Sequence, residues 1–97
     1  MIRVEKLPQS DLYKVSFVFS AQPGHQVALT GSFNDWEPAQ MIMEYQEELK
    51  GFCFELQLPR GCYEYKFVVD GEWVTDLDNT GFSANDFGTL NSVLNIG

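Results

Sequence analysis

The sequence is poor in positive charge. It has six lysines and arginines against 14 aspartates and glutamates, which gives a formal net charge of −8. Nucleic acids and anionic membrane surfaces bind clusters of basic residues, because the neutralised phosphates release counterions. Six basic residues scattered along the chain form no such cluster. The composition therefore excludes a nucleic-acid or other polyanionic partner and favours a neutral or cationic ligand.

Long apolar runs are also missing. No run approaches the ~18 residues of a membrane-spanning helix, and the opening MIRVEKLPQSD lacks the apolar core of a signal peptide. We therefore expect a cytoplasmic protein that does not engage a membrane. The 97-residue chain is 44% hydrophobic and 14% aromatic, which is enough for one compact core. A single domain over residues 1–97 is the expected organisation.

Helical periodicity is nearly absent, and residues 39–50 are the nearest candidate for a helix. Elsewhere apolar residues alternate with polar ones, as in YKVSFVFS (13–20) and HQVALTG (25–31). Turn signals separate such segments at Pro23-Gly24, Asn34-Asp35, Pro59-Arg60-Gly61, Asp70-Gly71 and Thr80-Gly81. Short alternating strands at this spacing predict an all-β fold, either an antiparallel sandwich or a barrel.

The turn at residues 59–61 predicts a first hairpin, in which residues 51–58 pair with residues 62–69. Placing Phe52 opposite Phe67 sets the apolar side chains of both segments on one face. A slip of one residue would break this match, so the pattern favours this register.

The same register bears on the two cysteines. It separates Cys53 from Cys62 by about 13 Å along the strands, at ~3.3 Å per residue. A disulfide needs Cα atoms within ~7 Å, so we expect two free thiols. The single histidine, His25, lies in a Pro-Gly loop with no evident partner for either thiol, and a catalytic cysteine is therefore not expected.

The Asp70-Gly71 pair predicts a second hairpin with a two-residue type I′ turn. This turn places Trp73 opposite Val68 and on the same face as Lys66. That face carries the polar residues of its strand, so we expect Trp73 to be exposed.

The sequence gives little evidence of a catalytic or a metal-binding site. Fourteen acidic residues allow paired carboxylates for glycoside hydrolysis, but an acidic surface contains such pairs in any case, and a small sandwich leaves little room for a cleft. The stretch DLDNTG (76–81) resembles the start of a calcium loop, yet Phe87 stands where a bidentate glutamate is needed. Cofactor motifs such as GxGxxG and the P-loop are absent. We expect no catalytic residue, no metal and no cofactor.

What remains is two tryptophans, a lysine and a tail rich in asparagine and threonine. Trp36 ends the turn GSFNDW (31–36), where it is either folded back into the core or displayed. Trp73 and Lys66 share a face, and the tail NDFGTLNSVLN (85–95) supplies amides and a hydroxyl. Sugar C–H faces stack on aromatic rings, and sugar hydroxyls need donors and acceptors. Two rings set at an angle would suit a curved α-glucan chain.

Three blocks of the sequence resemble a known family. They are VALTGSFNDW (27–36), PRGCYEYKFVVDGEWVTDLDN (59–79) and NDFGTLNSVLNI (85–96), in that order. Together they resemble carbohydrate-binding module family 48, which comprises the glycogen-binding domain of the AMP-activated protein kinase beta subunit and the early-set domain of isoamylases, pullulanases and branching enzymes. The resemblance implies an immunoglobulin-like antiparallel β-sandwich of about seven to eight strands. It also implies binding of α-1,4-glucans (glycogen, starch, maltooligosaccharides) without cleavage.

The resemblance further implies a site. It places the two stacking tryptophans on Trp36 and Trp73 and the sugar-bonding lysine on Lys66. Trp36 is then displayed, and Phe33 becomes the core anchor of its turn. The remaining implied contacts lie in the closing segment, at Phe87, Thr89 and Asn91.

Phe87 also raises an alternative. The kinase-subunit branch usually carries a leucine there, so a phenylalanine that either stacks or buries itself favours the enzyme-associated branch. A member of that branch could act as an early-set structural or docking module of a glycoside hydrolase family 13-type glucan enzyme, with little or no sugar binding of its own. A regulatory role like that of the kinase subunit ranks below it, because no segment that could bind a kinase follows Gly97.

Overall fold

The computed structural model describes residues 2–79 and 81–97, and within them it contains ten strands and two 3₁₀ turns. The strands are β1 (Ile2–Lys6), β2 (Leu12–Ser20), β3 (Val27–Gly31), β4 (Met41–Ile42), β5 (Glu44–Gln46), β6 (Gly51–Pro59), β7 (Gly61–Val69), β8 (Glu72–Val74), β9 (Phe82–Ala84) and β10 (Leu90–Ile96). The 3₁₀ turns are Ser32–Asn34 and Glu47–Leu49. In this part of the chain, no helix has the length and apolar character that a bilayer crossing requires.

The strands form two antiparallel sheets. The four-stranded sheet has the order β1-β2-β6-β5, and the six-stranded sheet has the order β4-β3-β7-β10-β9 with β8 attached to β7. The predicted all-β antiparallel sandwich is therefore confirmed. The number of strands exceeds the expected seven to eight because several strands, such as β4 and β5, have only two or three residues. Segments this short are too brief to display an alternating pattern.

Alternate residues of both sheets meet in one hydrophobic core. Phe17 of β2 lies edge-on to Tyr65 of β7 with ring centroids 5.1 Å apart, and Phe19 lies 5.1 Å from Phe67. Burying one such side chain contributes about 1.5–3 kcal/mol. The buried core residues are Val15, Phe17, Val27, Leu29, Met43, Phe52, Leu58, Tyr65, Phe67, Leu94 and Ile96. Because each sheet buries one face here, its other face is left for solvent and ligands.

Strand β6 does not pair with β7, so the predicted first hairpin is wrong. β6 pairs with β2 and β5, whereas β7 pairs with β3, β8 and β10. The turn at residues 59–61 therefore carries the chain from one sheet to the other. The sequence pattern identifies the apolar faces of both strands correctly, but these faces lie in the two layers of the sandwich. Alternation reveals which face of a strand is buried and does not reveal its neighbour.

The two cysteines are free, as predicted, although the reason differs. Cys53 on β6 is half-buried and Cys62 on β7 is exposed, and they belong to different sheets. Burial raises the pKa of the Cys53 thiol, and the nearby negative charge of Glu48 raises it further. A raised pKa keeps the thiol protonated and lowers its reactivity as a nucleophile.

The second predicted hairpin, β7 with β8, is confirmed. The observed pairs are Val69–Glu72, Val68–Trp73 and Phe67–Val74. Asp70 and Gly71 have φ angles of 51° and 87°, the left-handed backbone that a type I′ turn requires. Trp73 consequently lies on the outer face of the six-stranded sheet and is 47% exposed.

The tip of this hairpin is anchored to the loop before β3. The Asp70 carboxylate accepts a hydrogen bond of 2.8 Å from the backbone N–H of Gln26, and its other oxygen lies 2.7 Å from Nδ1 of His25. The backbone bond first, and then the interaction with His25, lower the pKa of Asp70. The histidine therefore has a carboxylate partner at the hairpin tip.

After β8 the chain makes a turn that is fixed to the core. The Tyr65 hydroxyl donates a 2.6 Å bond to the buried Asp76 carboxylate, and the backbone N–H of Asp78 donates to the other oxygen at 3.1 Å. Burial, and then the bond to Asp76, raise the pKa of Tyr65. These contacts agree with a turn role for the DLDNTG stretch, of which Thr80 lies outside the described residues. Within residues 2–79 and 81–97, no group of three acidic, histidine or cysteine side chains is placed to hold a metal.

Residues 39–50 form β4, β5 and the turn Glu47–Leu49 instead of a helix. Tyr45 of β5 packs edge-on against Phe52 of β6, with ring centroids 5.4 Å apart. Pairing with β3 and β6 therefore outweighs the helix propensity of the glutamates and methionines in this segment.

Candidate functional site

The turn GSFNDW is tightly bound to β7. A Cβ at Gly31 would lie 2.4 Å from the carbonyl oxygen of Glu64, so only glycine allows this approach. The backbone N–H of Glu64 donates to Oγ of Ser32 at 3.1 Å, and the N–H of Trp36 closes the turn on the Gly31 carbonyl at 2.9 Å. These contacts hold the turn against β7.

The two aromatic residues of this turn point to opposite sides. Phe33 packs against the core, with its ring centroid 5.9 Å from that of Phe17 and 6.3 Å from that of Tyr63. Trp36 lies outside and has a φ of 59°, next to Asp35 with a φ of 55°. A left-handed backbone is unusual for a bulky residue and costs free energy. Phe33 is therefore the core anchor, as expected, and Trp36 is displayed.

Trp36 and Trp73 form one aromatic wall. Their ring centroids are 6.4 Å apart, and their planes are inclined by 35°. Trp36 is half-buried and Trp73 is more exposed. The two rings come from the turn after β3 and from β8, and they present an angled apolar surface to solvent.

Lys66 lies on the outer face of β7, beside this wall. Its side chain is only 5% exposed, and its Nζ donates a 3.1 Å hydrogen bond to Oγ1 of Thr89. A lysine ammonium has three N–H donors. The contact with Thr89 uses one of them, and no other acceptor for this ammonium is found among residues 2–79 and 81–97, so two donors can serve a ligand.

Thr89 and Asn91 are joined to Lys66 by a chain of side-chain hydrogen bonds. Nδ2 of Asn85 donates to Oγ1 of Thr89 at 2.7 Å and to Oδ1 of Asn91 at 2.9 Å. Nδ2 of Asn91 in turn donates to Oε1 of Glu64 at 3.1 Å. The polar side chains at this place are therefore pre-oriented before any ligand arrives, which lowers the entropy cost of binding.

Phe87 lies at the tip of the loop between β9 and β10. Its side chain is 90% exposed, so it does not bury itself. The loop is closed by Asn85, whose backbone N–H donates to the Thr89 carbonyl at 3.0 Å. Phe87 is thus available for contact with a ligand.

These side chains line one groove of about 850 Å³ on the outer face of the six-stranded sheet. All six residues expected from the sequence are in its lining, namely Trp36, Lys66, Trp73, Phe87, Thr89 and Asn91. Sequence reasoning missed Ser32, Glu64, Ala84, Asn85 and Asp86. Asn85 stands two residues before Phe87 in the asparagine-rich tail, whereas Glu64 and Asn91 meet only through the pairing of β7 with β10.

A β-sandwich with two displayed tryptophans and an ordered polar network on one sheet has the arrangement typical of a carbohydrate-binding domain. Residues 13–97 match a family model described as the glycogen recognition site of AMP-activated protein kinase. The chain therefore belongs to this family of carbohydrate-binding modules, and the resemblance found in the sequence is confirmed.

Among the relatives, 5'-AMP-activated protein kinase subunit beta-1 of Sus scrofa is 33% identical over 73 residues, which cover 75% of this chain and 56% of the pig sequence. The beta-2 subunits of Mus musculus and Homo sapiens are each 32% identical over 76 residues, or 78% of this chain. Those residues cover 27% and 26% of the two beta-2 sequences. The chain thus spans only part of the length of these relatives.

These relatives belong to the kinase-subunit branch. Nothing in the comparisons favours the alternative of a structural or docking module for a glycoside hydrolase family 13-type glucan enzyme. The association with glycoside hydrolases and isoamylases that Phe87 suggested is therefore not supported.

Proposed function

We propose that this domain binds α-1,4-glucans, such as glycogen, starch and maltooligosaccharides, at the groove on its six-stranded sheet and does not cleave them. The observation that carries the proposal is the convergence of Trp36, Trp73 and Lys66 with the ordered side chains of Thr89 and Asn91 in one groove. Membership of a glycogen-recognition family supports the same ligand class.

The aromatic wall suits the shape of an α-glucan. Such a chain curves, so successive glucose rings present their apolar faces at an angle to one another. Trp36 and Trp73 are inclined by 35° with centroids 6.4 Å apart, so both rings can follow this curvature. Stacking contributes about 1 kcal/mol per ring beyond area burial.

The polar side of the groove suits uncharged hydroxyl groups. Lys66 supplies N–H donors, and the amide of Asn91 and the hydroxyl of Thr89 can each bond a sugar hydroxyl. Each such bond adds about 0.5–1.5 kcal/mol. Set against the cost of ordering the ligand, a dissociation constant of roughly 10 µM to 1 mM is expected.

Binding without cleavage is the second half of the proposal. Hydrolysis of a glycosidic bond needs one carboxyl group as acid and another as base or nucleophile. Of the groove's acidic residues, Glu64 is already bonded to Asn91, and Asp86 lies in the exposed loop. Because the matched family is one of carbohydrate-binding modules, we infer that neither acts as a hydrolytic carboxylate and that the domain is not itself an enzyme.

Intrinsic tryptophan fluorescence gives a direct test, because both tryptophans of the chain line the groove. Titration with β-cyclodextrin and with maltoheptaose should give a saturable change in intensity or wavelength, and cellohexaose should give none. Chromatography of maltoheptaose after incubation should show the intact sugar. A folded protein with no response at millimolar α-glucan would contradict the proposed binding, and shorter sugars would contradict its non-catalytic character.

A further inference from the structure

The side-chain amide of Asn85 is fully used. Its Oδ1 accepts bonds from the backbone N–H groups of Phe87 at 3.0 Å and Thr89 at 3.1 Å. Its Nδ2 donates to Oγ1 of Thr89 at 2.7 Å and to Oδ1 of Asn91 at 2.9 Å. One half of the amide therefore contacts loop backbone, and the other half contacts two side chains of the glucan groove.

The direction of every bond in this network is determined by groups that can act in only one way. Backbone N–H groups only donate, which fixes Oδ1 of Asn85 towards Phe87 and Thr89. The carboxylate of Glu64 only accepts, which fixes Nδ2 of Asn91 towards it and leaves Oδ1 of Asn91 for Asn85. The assignment of both amides is thus settled by chemistry.

The same logic determines the role of the Thr89 hydroxyl. Its oxygen accepts from Lys66, whose ammonium only donates, and from Nδ2 of Asn85. Both acceptor positions of the oxygen are then occupied. Its hydrogen has no acceptor among the described residues, so Thr89 is presented to a ligand as a hydrogen-bond donor.

We propose that Asn85 is a positioning residue with two separable tasks: its carbonyl oxygen holds the 85–89 loop that displays Phe87, and its amide nitrogen orients Thr89 and Asn91 towards the glucan. This inference rests on the proposed glucan site. It assigns to Asn85 an effect on affinity that acts through Thr89 and Asn91.

The variant Asn85→Asp separates the two tasks. Aspartate keeps an oxygen for the N–H groups of Phe87 and Thr89, so the loop is retained. Its second oxygen replaces Nδ2, attracts the hydroxyl hydrogen of Thr89 away from the ligand and repels Oδ1 of Asn91. Affinity for β-cyclodextrin and maltoheptaose, measured by tryptophan fluorescence, should fall about ten-fold, as expected for two ordinary hydrogen bonds to the ligand.

Two further measurements distinguish orientation from loop structure and from charge. Amide hydrogen exchange by NMR should show the same protection at Phe87 and Thr89 in the wild-type chain and in Asn85→Asp. A double variant that combines Asn85→Asp with Asp86→Asn keeps the charge of the loop unchanged. Because the double variant and the wild-type chain carry the same charge, the double variant should still bind about ten-fold more weakly than wild type, as expected for two lost hydrogen bonds. Asp86→Asn alone is measured beside it to give the separate effect of position 86.

The outcomes are distinct. Weak binding by both Asn85→Asp and the double variant, with retained protection, supports the proposal. Three results would each overturn it. Asn85→Asp could bind within about two-fold of wild type, or the charge-matched double variant could regain wild-type affinity. The third result is loss of amide protection at Phe87 or Thr89 in Asn85→Asp. A wild-type chain that binds no α-glucan would overturn the proposed function itself, and this inference with it.

Discussion

The outer faces of the two sheets are built from the same alternating pattern but differ in what they display. The six-stranded sheet carries two tryptophans and a chain of hydrogen bonds from Lys66 through Thr89, Asn85 and Asn91 to Glu64. A second groove, of about 510 Å³, lies along the four-stranded sheet and is also lined by Ile42 of β4 and Leu49 of the Glu47–Leu49 turn. Its lining residues are Ser16, Val18, Ile42, Glu44, Gln46, Leu49, Cys53, Phe54 and Glu55.

In the described part of the chain, no comparable series of side-chain hydrogen bonds crosses the outer face of the four-stranded sheet. The difference teaches that a groove alone does not indicate a ligand site. Flat rings together with polar groups that are oriented in advance are the features that favour the groove on the six-stranded sheet as the proposed sugar site.

The largest expected effect comes from removing one ring of the aromatic wall. Trp73→Ala or Trp36→Ala should abolish measurable glucan binding, because the proposed site stacks the two rings on successive sugars, while far-UV circular dichroism stays of β type. Leu49→Ala, in the turn between β5 and β6, is a matched control, since Leu49 is 50% exposed and Trp73 is 47% exposed. Isothermal titration calorimetry with maltoheptaose measures all three. An unfolded tryptophan variant would mean that the ring serves the core.

A smaller effect is expected from the lysine of the groove. Lys66→Met keeps the buried aliphatic stem and removes the ammonium that bonds Thr89. Affinity should fall roughly ten-fold, because the two N–H donors left for the ligand are lost at about 0.7 kcal/mol each. Lys14→Met, at a paired position on β2 in the other sheet, should leave affinity unchanged. Equal losses from both substitutions would show that net charge, and not the groove, controls binding.

The smallest expected effect concerns stability at the hairpin tip that carries β8. Because the pKa of Asp70 is lowered in the folded protein, its contribution is present above the unfolded value of ~3.9 and is lost as pH falls through the folded-state pKa. Asp70→Asn should therefore melt slightly below wild type at pH 7 and together with it in acid. Asparagine tolerates the left-handed backbone at this position, and Asp11→Asn in the β1–β2 connection is the control. A difference in melting temperature that persists at acid pH would assign the effect to something other than the carboxylate.

How much of this could be read from the sequence depends on how local each feature is. The register of β7 with β8 was predictable because the two residues Asp70 and Gly71 fix it by themselves. The strand that pairs with β6 was not predictable. The apolar face of β6 is buried equally well whether β7 lies next to it in one sheet or across the core in the other sheet. The exposure of Trp73 follows from the local hairpin. The display of Trp36 depended on the family resemblance.

The polar network was the least accessible part. The bond between Glu64 and Asn91 joins residues 27 positions apart and depends on the pairing of β7 with β10. Asn85 lies within the asparagine-rich tail that the sequence makes visible. Its role could not be predicted, because that role depends on the hydrogen bonds from its Nδ2 to both Thr89 and Asn91. The residue types predicted the chemistry of the groove. Which of its side chains are hydrogen-bonded to one another could be known only from the tertiary structure.

The left-handed backbone at Trp36 has a consequence for how this domain changes under selection. A bulky side chain at φ 59° carries a conformational cost of about 1 kcal/mol or more, which glycine or asparagine would avoid. Selection for folding alone should therefore let position 36 drift towards those residues, and selection for sugar affinity should retain tryptophan. A library randomised at this single codon and sorted separately for stability and for glycogen retention would separate the two pressures.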